Sequence, residues 1–296
     1  MGSGRGHDTI LAASLKVYNP GVSGHGKFTA EEWEDYKRHR RFDRFTRLVG
    51  DAAMNKLAGS HVMVIGLGGV GSWAAESLCR SGVGTLSLVD FDRVCVTNAN
   101  RQLHALTSCV GRLKAEVLAE RLTQINPEAR VIPVPRFYNA ESEAEVFKEI
   151  PDFVIDAIDN VTAKCRLLTF CRQEEISAVC STGSGGRLDP TLVRVADLSR
   201  TEVDPLAAAV RKILRQKHGF PRKGDFGLTA VYSAEEPTLP IPPAYDKGKG
   251  FVCVCPHADN PHHTCEERSV IMGTASFVTG AMGFACASVA VRRLIQ

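Results

Sequence analysis

The sequence predicts an α/β protein built around a doubly wound, mostly parallel sheet. Short apolar runs typical of strands alternate with longer runs in which apolar residues recur at helical spacing. A glycine-rich turn follows one of the first of these strands, and acidic residues follow two others directly. The carboxyl ends of parallel strands meet at one edge of such a sheet, so these polar groups are expected to share a ligand site there.

The glycine turn lies between a predicted strand, residues 62–65, and a predicted helix, residues 72–80. It contains Gly66, Gly68, Gly69 and Gly71. Glycines let backbone N–H groups approach a phosphate closely, and the helix directs its positive end at the same place. Asp90 follows the next strand, about twenty residues later, where a ribose-hydroxyl acceptor is expected. These features alone also fit an NAD enzyme, or a unit whose glycines serve only packing.

A polar run after Asp90 favours a triphosphate over a nicotinamide dinucleotide. It comprises Asp92, Thr97, Asn98, Asn100, Arg101 and Gln102. A dinucleotide site has no evident use for this many donors, whereas a triphosphate needs cationic and amide groups beyond those of the glycine turn.

Two further residues are expected at the same edge of the sheet. Lys114 opens a helix and lies on the phosphate side if the crossover is right-handed. A first-turn lysine opposes the helix dipole, so a phosphate is its more economical partner. Asp159, next to Asn160, ends a buried strand and is a candidate ligand for Mg²⁺. The alternative is that Asp159 only caps the helix that starts at Val161.

Two segments are strongly basic, although the net charge of +3 does not by itself indicate nucleic acid. Residues 37–47 carry six Lys or Arg, of which Arg44 and Arg47 are candidates for reaching a triphosphate in the same or a neighbouring subunit. Residues 205–224 contain six basic residues and no acid. These are Arg211, Lys212, Arg215, Lys217, Arg222 and Lys223. The segment favours a polyanion, with a solvated helix face as the alternative.

The rest of the chain is divided into a leader, an inserted segment and a final helix. Residues 1–27 are predicted to be a flexible leader, and 28–296 a single domain. Within it, 28–198 form the nucleotide-binding core, 199–268 the basic helix and substrate-side loops, and 269–296 a packing helix. The small apolar residues of that helix are interrupted by polar ones, so a core or interface position is expected, not a membrane span.

The cysteines indicate a compartment and leave one question open. Ten cysteines without a secretory signal predict a reduced, cytoplasmic environment. Cys253, Cys255 and Cys265 lie among three histidines and could bind zinc, but the spacing is not that of paired Cys-x₂-Cys knuckles. The alternative is a mobile loop, with Cys265 a separate candidate for chemistry.

The motifs in residues 41–160 together resemble the ThiF/MoeB superfamily, the adenylating enzymes related to ubiquitin activators. The likeness implies a Rossmann-like unit that binds ATP and Mg²⁺ and adenylates a carboxylate, usually as a homodimer. By this resemblance Gly69 and Gly71 face the phosphates, Asp90 binds the ribose, and Thr97, Asn98, Asn100 and Arg101 contact the base and phosphates. Lys114 neutralises the transferring phosphate, and Asp159 holds Mg²⁺ with help from Asn160. Arg44 corresponds to an arginine that some members donate across the dimer, and Arg41 is near enough to be considered for the same role.

A more specific likeness extends over residues 41–293. The Asp-Pro-Leu-Ala-Ala start of the basic helix at Asp204, the run from Val231 to Glu235 and the small-residue final helix are similar to the tRNA threonylcarbamoyladenosine dehydratase family. This implies ATP-dependent cyclisation of the threonylcarbamoyl side chain on adenosine 37 of tRNA through an acyl adenylate. The sequence leaves open whether a sulfur-transfer partner, a cysteine desulfurase, supports the enzyme.

Two alternative functions remain at this stage. An adenylyltransferase for a ubiquitin-like sulfur-carrier protein shares every nucleotide residue. Members of that kind typically carry two Cys-x₂-Cys zinc pairs, and only the lack of these pairs in this chain and the basic helix argue against this function. An NAD-dependent oxidoreductase shares only the glycine turn and Asp90.

Overall fold

The structure, a computed structural model, describes residues 29–242, 244–245, 254 and 271–296. By their contacts, the described residues up to Asp43 belong to one compact unit and those from Arg44 onward to a second. The predicted leader, residues 1–27, lies outside the described residues, as do Cys253, Cys255, Cys265 and the nearby histidines. The domain boundaries given above therefore stay predictions.

The first unit contains helix α1, Ala30–Arg41, which begins at a capping box. The Glu32 amide donates to the Thr29 hydroxyl at 3.2 Å, and the Thr29 amide donates to the Glu32 carboxylate at 2.7 Å. A capping box of this kind stabilises the start of a helix. The basic run 37–47 is not one continuous helix, however, because α1 ends at Arg41 and a new helix, α2, begins at Asp43.

The second unit is built on a seven-stranded sheet with the order β3-β2-β1-β4-β5-β7-β6. Its strands are β1 His61–Ile65, β2 Thr85–Val89, β3 Arg130–Val134, β4 Phe153–Asp156, β5 Ser177–Ser181, β6 Val193–Asp197 and β7 Thr229–Ser233. All neighbouring pairs are parallel except β6 and β7, which are antiparallel. The predicted mostly parallel sheet is confirmed.

Helices cover both faces of this sheet. They are α2 Asp43–Val49, α3 Asp51–Gly59, α4 Gly71–Arg80, α5 Lys114–Ile125, α6 Glu143–Val146, α7 Val161–Gln173, α8 Pro205–Lys217 and α9 Ser276–Leu294. Alternate residues of β1 enter different cores: Val62 and Val64 pack with α4, α5 and α9, and Met63 and Ile65 pack with α7. This alternation is what a strand buried on both faces requires.

The C-terminal helix α9 is a core element, as predicted. By length and composition alone it could cross a membrane, yet half of its most apolar window is buried inside the protein. Gly283 lets it approach α4 closely, since a Cβ there would lie 2.5 Å from the Val70 carbonyl oxygen and 2.9 Å from the Trp73 Cβ. Small residues on α9 thus serve helix packing.

Strand order places a cleft next to β1. The chain leaves β1 towards β2 and β3 on one side, and later resumes at β4 and β5 on the other. In open parallel sheets, ligands bind outside the carboxyl ends of the strands at this reversal of direction. The glycine turn after β1 and the loops after β2 and β4 meet there.

Candidate functional site

A cavity of about 350 Å³ opens at the carboxyl ends of β1, β2 and β4. Its wall is formed by the glycine turn and by residues 90–92, 136–138 and 157–160. The volume lies within the range of small-molecule sites. Acidic, aromatic and backbone groups from four separate loops therefore converge where the sequence predicts a nucleotide.

The glycine turn divides its glycines between packing and the cavity. Gly66 has a φ of 88°, and a Cβ there would lie 2.7 Å from the Ala157 carbonyl oxygen. A Cβ on Gly71 would lie 1.8 Å from the Gly66 carbonyl oxygen. Gly66 and Gly68 line the cavity, whereas Gly69 packs against Thr279 and Arg101. Gly69 and Gly71 are thus small because other parts of the chain touch them, and their implied placement against phosphates stays a prediction.

Asp90 fixes the turn to the end of β2. It is buried, and its carboxylate accepts hydrogen bonds from the backbone amides of Leu67 at 2.6 Å and Asp92 at 2.8 Å. Burial raises the pKa of Asp90, while the charge on Lys114 opposes that shift. Each carboxylate oxygen can accept a second hydrogen bond, so Asp90, which lines the cavity, keeps capacity for a ribose hydroxyl.

Lys114 lies behind the cavity wall. It opens α5, as predicted, and its Nζ donates to the Asp92 carboxylate at 2.8 Å. Burial acts to lower the pKa of Lys114, but the carboxylates of Asp90 and Asp92 outweigh it and raise that pKa above its usual value. The Lys114 ammonium group, only 5% exposed, therefore stays charged, and it is separated from the cavity by its partner Asp92.

Apart from Asp92, which lines the cavity, the polar run after β2 lies beside the glycine turn and outside the cavity wall. Asn98 is buried, and its side chain accepts a hydrogen bond from the Cys95 amide at 3.0 Å. This oxygen closes a 3₁₀ turn, Val96–Asn98, and the expected contact of Asn98 with the base or phosphates stays a prediction. The Thr97 hydroxyl donates to the Cys95 sulfur at 3.2 Å, so Thr97 also has a local partner.

Arg101 and its neighbours are held by contacts from other elements. The Arg101 guanidinium donates to the Thr97 carbonyl at 2.9 Å and to the Asn100 side-chain oxygen at 3.0 Å. Asn100 in turn donates to the Thr274 carbonyl at 3.0 Å, and the Trp73 indole donates to the Arg101 carbonyl at 3.1 Å. Arg101 therefore lies against the turn in a fixed backbone position.

Gln102 and His104 continue this loop into the interior. Both are buried, and within the described part of the chain the Gln102 Oε1 and both His104 ring nitrogens have no hydrogen-bond partner. Burial, together with the charges on Lys114 and Arg121, lowers the pKa of His104 to about 3. The imidazole is therefore neutral. The sequence around His104, Leu-His-Ala-Leu, does not predict that the imidazole is buried.

Asp159 lines the cavity, and the next residue, Asn160, caps helix α7. The Asn160 side chain accepts a hydrogen bond from the Ala163 amide at 3.0 Å and is the N-cap of α7. The alternative that Asp159 caps this helix is therefore wrong. Asp159 is exposed and lines the cavity, which leaves its carboxylate available to a ligand.

A buried ion pair supports the loop that carries Asp159. The Lys164 Nζ lies 2.7 Å from the Asp156 carboxylate, and both side chains are at most 1% exposed. Asp156 also accepts a hydrogen bond from the Ile158 amide at 3.0 Å. Sequence reasoning missed this pair, although a charged residue at the end of an apolar strand and another inside the next helix were visible signals.

An aromatic pair closes another side of the cavity. The rings of Phe91 and Phe137 meet edge to face with centroids 4.9 Å apart, and both line the cavity. Such faces suit a planar base. In the sequence, Phe91 lies between two predicted site residues, Asp90 and Asp92. Phe137 has no such neighbours, and its position in the site follows only from the pairing of β3 with β2.

The basic residues of segments 44–47 and 205–224 do not line the cavity. Arg44 is an exposed residue of α2 and does not line the cavity. Helix α8 is confirmed: Asp204 caps it by accepting from the Ala207 amide at 2.8 Å, and also accepts from the Thr182 hydroxyl at 2.8 Å, just beyond β5. The helix thus starts at the carboxyl edge of the sheet, and its basic residues lead away from it.

Comparison with known proteins gives consistent relatives. The model of the ThiF family matches residues 39–296. The tRNA threonylcarbamoyladenosine dehydratase of Escherichia coli is 41% identical over 259 residues, which cover 86% of this chain and 94% of that protein. The enzyme of the same name from Haemophilus influenzae is 43% identical, covering 68% and 78%. The crystal structure of the E. coli enzyme in complex with ATP superposes with a TM-score of 0.73, covering 86% and 94% at 40% identity.

Substitution of Gly71 tests the packing role of the glycine turn. We expect Gly71→Ala to lower the free energy of unfolding by at least about 3 kcal/mol, because the new Cβ overlaps the Gly66 carbonyl oxygen. Gly68→Ala is the matched control. Its Cβ has only the Gln102 Nε2 nearby, at 4.0 Å, so the change should stay within about 1 kcal/mol. Urea unfolding measures both, and equal stabilities would contradict the packing role.

Proposed function

The chain belongs to the ThiF family, and we propose that within it the protein is an ATP-dependent tRNA threonylcarbamoyladenosine dehydratase. Two features that lie at the same edge of the sheet together support this function. One is the cavity with Asp90, Asp92 and Asp159 in its wall and Lys114 behind it. The other is the basic helix α8, whose N-cap residue Asp204 is bonded to Thr182 at that same edge.

ATP fits the cavity by charge and shape. The glycine turn and the N-terminus of α4 offer backbone N–H groups and a positive helix end to the phosphates. Asp90 is placed for the ribose, and the Phe91–Phe137 pair for the adenine. Lys114 and Arg101 supply positive charge on the side of the turn. E. coli relatives have been crystallised with ATP and with AMP, which supports the assignment.

Mg²⁺ is proposed as a companion of ATP at Asp159. Magnesium in nucleotide sites is held by one or two carboxylates together with phosphate oxygens and water. Asp159 offers an exposed carboxylate on the cavity wall, so the residues fit this mode of binding. Among the described residues no group of three or more metal-ligating side chains forms a cage, and this mode needs none. The ion would neutralise phosphate charge as it develops.

The chemistry follows from a carboxylate and ATP bound side by side. A carboxylate oxygen of the threonylcarbamoyl group attacks the α-phosphorus, the bond to the bridging oxygen breaks, and pyrophosphate leaves. Lys114 and Arg101 stabilise the charge that develops on the phosphate. A nucleophilic atom of the same side chain then attacks the activated carbonyl, the bond to AMP breaks and a ring closes. The second step is intramolecular, so it needs no thiol nucleophile.

A carrier-protein adenylyltransferase is the second candidate, since it shares the nucleotide site. Helix α8 favours RNA over a protein tail. Its basic residues Lys212 and Lys217 are exposed, as are Arg222 and Lys223 beyond its end, and residues 205–224 contain no acid to compensate them. A nicotinamide oxidoreductase is not supported, because Lys114 and Asp159 would have no role in it.

Assembly and location are also proposals. Two half-exposed aromatic side chains, Phe277 and Phe284, lie two turns apart on α9 and suit a homodimer contact. Arg44 would then be donated to the partner subunit's cavity. A monomeric mass in solution would contradict this arrangement. We place the protein in the cytoplasm, with tRNA as its substrate and a cysteine desulfurase as a possible sulfur-transfer partner.

Pyrophosphate release distinguishes the two candidate substrates. With ATP and Mg²⁺, we expect tRNA carrying threonylcarbamoyladenosine to stimulate release at least tenfold over unmodified tRNA, because only the modified base offers a carboxylate. Sulfur-carrier proteins ending in a free C-terminal carboxylate should give no stimulation. Stimulation by a carrier protein alone would replace the proposed function with that of an adenylyltransferase.

Replacement of Asp159 tests the metal assignment. We expect Asp159→Asn to reduce turnover at least a hundredfold while the melting temperature stays within a few degrees, because the side chain is exposed and caps no helix. Excess Mg²⁺ should recover part of the lost rate. The control is Asp152→Asn, which changes an exposed acid at the opposite end of β4. Equal activity of the two variants would remove Asp159 from the site.

A further inference from the structure

A second basic surface lies at the opposite edge of the sheet, next to the amino ends of β4, β5 and β7. It surrounds a cavity of about 440 Å³ whose wall includes Phe153, Arg172, Ile176, Phe226 and Arg293. Two guanidinium groups and one carboxylate, that of Glu175, belong to this wall. Arg172 lies in the last turn of α7, and Arg293 lies in the last turn of α9. Neither belongs to the basic segment 205–224.

Two phenylalanines in contact join this surface to helix α8. The Phe220 and Phe226 ring centroids lie 5.2 Å apart with the planes tilted by 57°, and both rings are almost fully buried. The Arg172 Cζ lies 4.4 Å from the centroid of the Phe220 ring, and the Arg215 Cζ lies 4.9 Å from that of Phe226. The four side chains thus follow one another in the order Arg172–Phe220–Phe226–Arg215, and we call this row the arginine–phenylalanine stack.

The stack holds its arginines without neutralising them. Within the residues that the structure describes, neither Arg172 nor Arg215 forms an ion pair with a carboxylate, and the Arg215 Nε donates only to the Pro221 carbonyl at 3.4 Å. The acids that follow Arg172 in the chain, Glu174 and Glu175, are exposed and form no ion pair there either. An aromatic face orders a guanidinium and leaves its N–H groups free to bind phosphate oxygens bidentately.

The direction of α8 connects this surface with the nucleotide cavity. The helix starts beside Thr182 at the carboxyl edge and ends near the stack at the amino edge. Its thirteen residues span roughly 20 Å at the helical rise of 1.5 Å per residue. A substrate whose reactive side chain meets ATP at the carboxyl edge and that also contacts the stack therefore extends along α8.

Resting on the proposed function, we propose that the arginine–phenylalanine stack, with Arg293, binds the phosphate backbone of the tRNA stem. Arg172 and Arg215 are ordered in advance, so binding loses less side-chain entropy than it would with free arginines. Arg222 and Lys223, in the chain between the two rings, add charge to the same surface. The contacts are to backbone phosphates, so this surface sets affinity and orientation and does not select the base sequence.

Salt-dependent binding of tRNA to the full chain tests the assignment. We expect Arg172→Gln to weaken binding five- to tenfold at 0.1 M salt and to lower the slope of log K against log salt by about one, as the loss of one phosphate contact requires. Arg172→Lys should give an intermediate loss, because it keeps the charge but not the planar stacking. The KM for ATP should not change, since the stack is remote from the nucleotide cavity.

Arg130→Gln is the matched control, because it removes one arginine from the far edge strand β3, where Arg130 is paired with Glu149. Binding by Arg172→Gln equal to that of Arg130→Gln, at unchanged melting temperature, would overturn the stack as an RNA surface and leave the proposed function intact. Failure of the wild-type chain to bind any tRNA would instead overturn the proposed function. If Arg172→Gln weakened the binding of an acidic protein but not the binding of tRNA, that result would also refute this proposal.

Discussion

Two buried carboxylates organise the edge of the sheet on which the function depends. Asp90 directly follows β2 and accepts hydrogen bonds from the Leu67 and Asp92 amides. Asp156 ends β4 and accepts one from the Ile158 amide. A buried lysine balances each of them: Lys114 at the start of α5 and Lys164 within α7. Removing either lysine would leave a buried charge without compensation, which is strongly destabilising. The loops around the cavity are therefore fixed before any ligand arrives.

This arrangement gives the cavity a mixed character that suits ATP. The wall carries carboxylates that we propose bind a ribose and a metal ion, while backbone N–H groups and a charged lysine lie on the proposed phosphate side. Because the positive groups are held by the fold, they need little reorganisation when charge develops in a transition state. The basic surfaces lie elsewhere, along α8 and beyond it, so the proposed nucleotide chemistry and the proposed RNA binding occupy separate parts of one compact unit.

The fold class and much of the site were predictable from the sequence because their signals are local. Strand periodicity, the glycine turn and the acids at strand ends each involve a few neighbouring residues, and Lys114 and Asp159 lie where these signals predict. Other outcomes depend on contacts between distant segments. Gly71 is required by Gly66 and Ala157, Asn98 is turned inward by Cys95, and Asn160 takes the capping role that left Asp159 free. The stacking of Arg172 on Phe220 joins residues forty-eight positions apart, which no sequence motif encodes.

The most direct test of the account is the fate of a substrate oxygen. If the carboxylate attacks the α-phosphorus of ATP, tRNA prepared with ¹⁸O in the threonylcarbamoyl carboxylate must transfer one labelled oxygen to AMP during turnover. Mass spectrometry of the released nucleotide measures this transfer. The account predicts labelled AMP and unlabelled pyrophosphate. Label in inorganic phosphate, with ADP as the nucleotide product, would contradict it, because the carboxylate would then have attacked the γ-phosphorus.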